Sequence, residues 1–155
     1  MAPWRDAIEA WLPAEGAGRS PVLDLGAGTG QFAAAIAGWF GVEVVAVEPS
    51  GGVRAQGVRA FAHPDVHWVA GRGERLPVGD GACGWAWVST VIHHLDDLDA
   101  AAAELHRVLR PGGPVLTPLL APTLSTVTTS VHGLVTCRAR WRGPMLVLPP
   151  RSRER

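Results

Sequence analysis

Three glycines at alternate positions and two acids supply the first chemistry of this chain. Val22-Leu23-Asp24-Leu25 is a short apolar run carrying one acid, and it opens directly into Gly26-Ala27-Gly28-Thr29-Gly30. A strand, a glycine turn and a helix in that order cradle a nucleotide-like ligand, because glycine lets a ligand approach the backbone closely and permits φ > 0. A dinucleotide fingerprint beginning at Gly26 needs a glycine where Gln31 stands, so the spacing is G-x-G-x-G with an acid in front. In a parallel sheet ligands bind beyond the carboxyl ends of the strands. Asp24 therefore faces such a site, either as a ligand acceptor or as a turn residue for the loop amides. Glu48 closes a second apolar run, Val42–Val47, at about twenty residues past the glycines, where a carboxylate offers two acceptor oxygens to the two donors of a ribose diol. The adjacent His93 and His94 carry the side chain best matched to proton transfer near neutral pH. They read either as bases toward a hydroxyl or amine, or as residues that pack and shape a pocket.

The elements that must hold these residues alternate. Residues 4–12 have the spacing of a short amphipathic helix, with Trp4, Ile8, Trp11 and Leu12 on one face, and residues 13–21 are a Gly/Pro-rich linker. Strands are expected at 22–25, 42–47, 66–70 and 82–89, with a fifth beginning at 115–117. Helices are expected at 28–39, 51–61 and 98–109. The last is the best defined, with Asp96 or Asp97 to cap it, an apolar stripe through Leu98, Ala101, Ala102, Leu105, Val108 and Leu109, and Pro111-Gly112-Gly113 to stop it. The second strand is apolar apart from Glu43, as a strand buried on both faces should be. Gly84 weakens the fourth. Strands alternating with helices predict a three-layer α/β domain with a parallel sheet and right-handed crossovers.

Composition sets limits. At 155 residues, 47% hydrophobic and 18% charged, the chain fits one domain able to bury a core. The formal net charge is zero, so no electrostatic footprint points to nucleic acid or an anionic membrane, and neither is expected as a partner. The charge is unevenly spread. Residues 1–137 carry eight arginines against thirteen acids, and residues 138–155 carry six against one. Cys83 and Cys137 have no metal or disulfide-framework spacing, and a reducing cytoplasm is the expected compartment. The N-terminus lacks the apolar core of a signal peptide, and no stretch approaches the roughly 20 apolar residues of a membrane span.

The glycine loop with its preceding acid resembles motif I of the class I S-adenosylmethionine-dependent methyltransferases. Three further blocks extend the resemblance over roughly residues 18–117: Glu48 ending VVAVE, the segment Gly71-Arg72-Gly73-Glu74-Arg75-Leu76-Pro77, and VSTVIHHLDDLDAAAAELHRVLRPGG from Val88 to Gly113. The match is to the small-molecule branch that includes ubiquinone and menaquinone biosynthesis enzymes. It implies a Rossmann-like parallel sheet with helices on both faces. It also implies S-adenosylmethionine as cofactor, a small-molecule acceptor, and methyl transfer to oxygen, nitrogen or carbon. On this resemblance Asp24 holds the methionine end, Gly26, Gly28 and Gly30 pass beneath the cofactor, and Glu48 holds the ribose. The Gly73 amide reaches the adenine, and Ser89 or Thr90 lies beside the sulfonium. His93 or His94 is then the candidate catalytic base, and no metal site is expected.

The chain departs from that pattern in three places. Arg72 stands where the family usually has an acid, which removes a carboxylate acceptor for the adenine amine, and Gly84 stands where an acid is usual early in strand four. Residues 118–155, with five prolines and a Thr/Ser-rich run, do not read as the family's closing helix and antiparallel strands, which are uncertain or missing. A truncated or frame-shifted reading of a GC-rich gene and a genuine short variant both account for them. Two other functions stay open here: a non-catalytic, degraded methyltransferase-like domain, and a nicotinamide-dependent oxidoreductase, the latter disfavoured by Gln31.

The expected organisation is a core over residues 1–117 and an irregular basic tail over 118–155. A sheet ending at strand five leaves an edge open to association between chains, and only residues 127–137 and 145–148 could cover it. Limited trypsin digestion is expected to cut first between Arg138 and Arg155 and to leave the core intact. A tail as resistant as the core would mark residues 118–155 as a genuine structural element.

Overall fold

The computed structural model describes residues 2–10, 12, 20–118 and 145–148. Helix α1 (Ala2–Glu9) precedes β1 (Val22–Leu25), α2 (Gln31–Phe40), β2 (Val44–Val47), α3 (Gly51–Ala60), β3 (Val66–Val69), β4 (Trp85–Val88), α4 (Leu98–Val108), β5 (Val115–Pro118) and β6 (Met145–Leu148). These six strands form one sheet in the order β3-β2-β1-β4-β5-β6. Strands β1 to β5 run parallel. The chain builds outward from β1 through β2 to β3, then returns to lay β4 on the other side of β1. That reversal opens a crevice at the carboxyl ends of β1 and β4.

All four residues of β1 and of β4 are buried. Two helical layers are needed to achieve this, and alternation along each strand divides the core between them. On one face Val22, Val44, Ala46, Trp85, Trp87 and Leu116 pack with Ala33, Ile36 and Ala37 of α2 and Ile8 of α1. Trp87 there contacts the rings of Trp4 and Phe32, at centroid distances of 5.9 and 5.0 Å. On the other face Leu23, Leu25, Val47, Ala86 and Val88 pack with Val108 of α4 and with Leu76 and Leu109.

Most boundaries differ from the sequence expectation by a few residues, each for a local reason. Helix α2 starts at Gln31 instead of 28, because Gly26, Gly28 and Gly30 all take positive φ and hold the segment as a turn. Strand β4 starts at Trp85 instead of 82, because Gly84 and Gly113 bring two backbones together; a Cβ on Gly113 would lie 2.5 Å from the Gly84 carbonyl oxygen. Asp97, not Asp96, caps α4, accepting from the Ala100 amide at 2.9 Å. Trp4, Ile8 and Leu12 meet the core as their spacing implies, although α1 spans Ala2–Glu9.

The fifth strand is not the last. Met145–Leu148 pairs antiparallel with Val115–Pro118 over four residues. The outer edge of β5, expected to stand open, is thus covered by one of the two segments able to do so, and one antiparallel strand of the closing pair is present. The other candidate, 127–137, and the basic residues 149–155 lie outside the described residues.

Two glycines of α3 separate propensity from packing. Gly52 has open space where an alanine would place its methyl, whereas a Cβ on Gly57 would lie 2.5 Å from the Trp68 ring and 2.8 Å from the Thr29 carbonyl oxygen. Gly52→Ala should stabilise the fold by up to ~1 kcal/mol through helix propensity. Gly57→Ala, the same chemical change, should destabilise it by about 1–3 kcal/mol through overpacking. Denaturant unfolding of both variants checks the opposite signs.

Candidate functional site

The carboxyl ends of the strands surround a cavity of about 490 Å³. Gly26 and Gly28 line it from the loop after β1, and Glu48 and Pro49 from the end of β2. Gly71, Arg72, Gly73 and Glu74 line it from the loop after β3, and Ser89, Thr90, Val91, His94 and Leu95 from the segment after β4. Of the residues singled out in the sequence, Gly26, Gly28, Glu48, Gly73, Ser89 and His94 share this cavity. Asp24, Gly30 and His93 are not part of its lining.

Each wall is held by identifiable bonds. Glu48 Oε2 accepts from the Gly28 amide at 3.2 Å, across twenty residues of sequence, and Oε1 accepts from the Ser50 amide at 2.9 Å. One carboxylate therefore ties the glycine loop to the start of α3. Arg54, one turn into that helix, donates to the carbonyls of Glu48 and Pro49 at 2.5 and 3.0 Å. The Gly26 and Ala27 amides both donate to the Val47 carbonyl, at 2.9 and 3.0 Å, which docks the loop on the end of β2. Gly28 sits at φ 56°, and a Cβ on it would meet no atom within 4 Å, so backbone conformation, not crowding, calls for glycine. Gly30 has a packing role as well, since a Cβ there would collide with the Trp68 ring.

The third wall depends on residues whose part was not legible in the motif. Glu104 accepts from the Leu76 amide at 2.7 Å, and Arg107 donates to the carbonyls of Leu76 and Val78 at 3.0 and 2.8 Å. Glu104 and Arg107 also pair with each other at 2.7 Å, and Arg107 reaches Asp80 at 2.7 Å. The hydrogen bond from Arg107 holds the Glu104 carboxyl down at about 2. Their i,i+3 spacing on α4 was the available sequence signal. Glu74 accepts from the Asp96 amide at 2.8 Å, joining this loop to the start of α4, and its backbone hydrogen bonds hold its pKa below the usual range.

The fourth wall follows β4. Thr90 takes φ 54°, the one non-glycine residue with positive φ among the described residues, and such strain clusters at functional sites. The next residues form a single 3-10 turn, Ile92–His94. His93 and His94 are both exposed, with ring centroids 3.9 Å apart, and His94 alone of the two faces the cavity. Among the described residues no group of three or more His, Cys, Asp or Glu side chains is placed so that it could hold a metal ion, and no described helix is long and apolar enough to cross a membrane.

Asp24 is buried in the sheet, outside the cavity lining. It lies on the sheet face shared with Val22, between Ala46 and Trp87 of the neighbouring strands, and is 1% exposed. Its Oδ2 has no hydrogen-bond partner. Burial first, and then the nearby Glu48 carboxylate, push its pKa up from 3.8 to about 7. A buried acceptor without a donor is costly to the fold and useful to a ligand that brings a donor.

Residues 23–117 match the family described as a methyltransferase domain. A ubiquinone/menaquinone biosynthesis C-methyltransferase from Rubrivivax gelatinosus is 38% identical over 95 residues, covering 61% of this chain and 37% of that protein. A demethylmenaquinone methyltransferase from Beutenbergia cavernae is 39% identical over 124 residues, covering 77% of this chain and 50% of that protein. A solved structure from Anabaena variabilis, described as a methyltransferase of an antibiotic biosynthesis pathway, superposes with a TM-score of 0.65 at 33% identity, covering 79% of this chain and 49% of that one. The chain thus spans at most half the length of these relatives.

The electrostatics of Asp24 give a pH test on the free protein. With its folded pKa near 7 and its unfolded value near 4, the native state binds a proton that the unfolded chain releases between those limits. Stability therefore falls as pH rises through that window and stays low above it. Asp24→Asn should remove this dependence, gaining about 1–3 kcal/mol at pH 8 and almost nothing at pH 4. Urea unfolding at the two pH values, without added ligand, reads the difference. An equal change at both would show that the Asp24 pKa is the same in the folded and the unfolded chain.

Proposed function

The chain belongs to the methyltransferase domain family, and on that premise we propose that its cavity binds S-adenosylmethionine and serves methyl transfer to a small-molecule acceptor. The observation that carries this reading is the Gly28–Glu48 junction, which presents a glycine loop and a carboxylate together at the carboxyl ends of two adjacent strands. The donor set suits the cofactor. Glu48 offers acceptor oxygens to a ribose diol, and each oxygen takes one amide bond here, leaving further lone pairs free. The unsatisfied Asp24 Oδ2 matches the ammonium of an amino-acid end. A Cβ on Gly73 would lie 2.5 Å from Leu95, so that wall of the cavity is bare backbone, whose amide is the group proposed to reach the adenine.

The cofactor supplies a methyl group already activated as a sulfonium, so the protein's part is proximity, alignment and exclusion of water. Gly26, Gly28 and Gly30 shape the floor and the start of α2. Ser89 and Thr90 present hydroxyls beside the crevice between β1 and β4. His94 is the residue we assign to take a proton from a hydroxyl or amine acceptor, because its imidazole is the one facing the cavity. His93 is assigned to orient it by ring contact. For an acceptor that loses no proton, neither is required. A cytoplasmic location belongs to the same proposal and is supported by the free buried thiol of Cys83.

Glu48→Ala tests the reading. A charged hydrogen bond lost from a partly desolvated site costs roughly 1.5–3 kcal/mol. Titration calorimetry should therefore show S-adenosylmethionine bound about ten- to a hundredfold more weakly. Unchanged affinity would remove the ribose assignment. No binding to the unsubstituted chain would favour the non-catalytic alternative.

A further inference from the structure

We propose that Glu74 reads the base of the nucleoside cofactor, its carboxylate accepting from the 6-amino group in place of an acid at position 72. This rests on the proposed S-adenosylmethionine reading. Glu74 lines the cavity beside Gly73, in the loop after β3. A tight turn sets it there: the Arg75 amide donates to the Arg72 carbonyl at 3.1 Å, with Gly73 and Glu74 at the corner. The side chain is anchored as well. Glu74 Oε1 accepts from the Asp96 amide at 2.8 Å, and Leu95, the residue before, lines the same cavity. That bond holds the carboxylate where the loop meets the segment leading into α4. A carboxylate has about four acceptor sites, so Oε2 is left to a ligand. Topology sets which part of the ligand comes here. The glycine loop follows β1, Glu48 follows β2, and Glu74 follows β3, the next strand outward. With a ribose held at Glu48 and the amino-acid end toward β1, the base extends toward Gly73 and Glu74.

Arg72 and Glu74 have opposite capacities on this wall. A guanidinium has no acceptor and gives nothing to an amine; Arg72 pairs instead with Asp96 at 3.3 Å, and Asp96 is not part of the cavity lining. Glu74 is charged at neutral pH. Backbone hydrogen bonds hold its carboxyl below the usual range, and the Arg72 guanidinium adds to the effect. The edge of adenine carries an acceptor, ring N1, beside a donor, the 6-amino group. The Gly73 amide and the Glu74 carboxylate are a donor and an acceptor on consecutive residues of the lining, which is the complement of that edge. A 6-oxo base reverses the order and sets its own oxygen against the carboxylate. A site built to take a substrate's N–H rejects an analogue that lacks it, because the acceptor is then left unpaired.

The test compares S-adenosylhomocysteine with its 6-oxo counterpart, S-inosylhomocysteine, by titration calorimetry on the full chain. The unsubstituted protein should bind the 6-amino form about tenfold or more tightly than the 6-oxo form. Glu74→Gln keeps an oxygen for the Asp96 amide and turns an NH2 toward the base. It should weaken the 6-amino form about tenfold and leave the 6-oxo form as tight or tighter. Glu74→Ala should bring the ratio of the two affinities toward one. Thermal melts of both variants report on folding, since a purely structural part for Glu74 would lower the melt and weaken both ligands alike. Equal affinities in the unsubstituted chain overturn the inference. So does an unchanged ratio, or an equal loss of both ligands, in Glu74→Gln. If neither nucleoside binds, the cofactor reading falls and this inference with it; if the 6-amino form binds with a ratio indifferent to residue 74, this inference alone falls.

Discussion

The rest of the molecule depends on the pairing of β1 with β4, two four-residue strands whose every side chain is withdrawn from water. Strands buried on both faces need a helical layer on each side, which α1 and α2 supply on one face and α4 on the other. Because these central strands are parallel, their carboxyl ends lie together, and the loops that leave them converge on one rim. The crevice between β1 and β4 is a consequence of that chain path. A site at that rim needs no separate explanation of how residues 26, 48, 73 and 94 come together.

That same burial makes Asp24 costly. A carboxyl placed in the sheet interior with one oxygen unpartnered and Glu48 close by is held neutral across much of the range in which a carboxylate is ordinarily charged. An apolar residue would suit the sheet better. The loops around it are, by contrast, well satisfied: Glu48, Glu74 and Glu104 each accept backbone amides from a neighbouring wall. Among the described residues the protein thus keeps its one buried, unsatisfied carboxylate oxygen inside the sheet and uses other acids to fix the rim.

Much of this was legible in the residues, and the reason is period. The apolar runs at 22–25 and 44–47 are too short and too continuous to be helices, and the stripe from Leu98 to Leu109 repeats at helical spacing, so the alternation of strand and helix could be read directly. The meeting of Glu48 with the glycine loop was legible from their separation, and the Gly28 amide does donate to Glu48. What escaped was set by contacts between segments distant in sequence. Beyond their i,i+3 spacing, nothing local announces that Glu104 and Arg107 clamp residues 76–80 from 27 to 31 residues away. Nor does spacing separate His93 from His94, because a single 3-10 turn decides which ring meets the cavity. Gly84 read as a weak point inside a strand, yet its carbonyl lies 2.5 Å from where a Cβ on Gly113 would fall, and a Cβ on Gly84 itself would lie 2.8 Å from the Ser20 side chain.

The outer edge shows how far sequence periodicity reaches. Residues 145–148 are four apolar positions among prolines and arginines, with no alternation to mark a buried face. Their assignment as a strand comes from pairing with β5, residue for residue, from Val115 with Leu148 to Pro118 with Met145. Antiparallel pairing at that place protects the ladder groups of β5 that a sheet ending there would leave to solvent or to another chain. Such a strand is specified by the need of its neighbour more than by its own pattern. The sheet is therefore extended on its β5 side by a segment whose composition alone argues against order, and the edges of the described sheet are β6 and β3, with Trp68 of β3 turned inward beneath Gly30 and Gly57. Turning its largest side chain under the glycine loop makes that edge strand part of the support of the site.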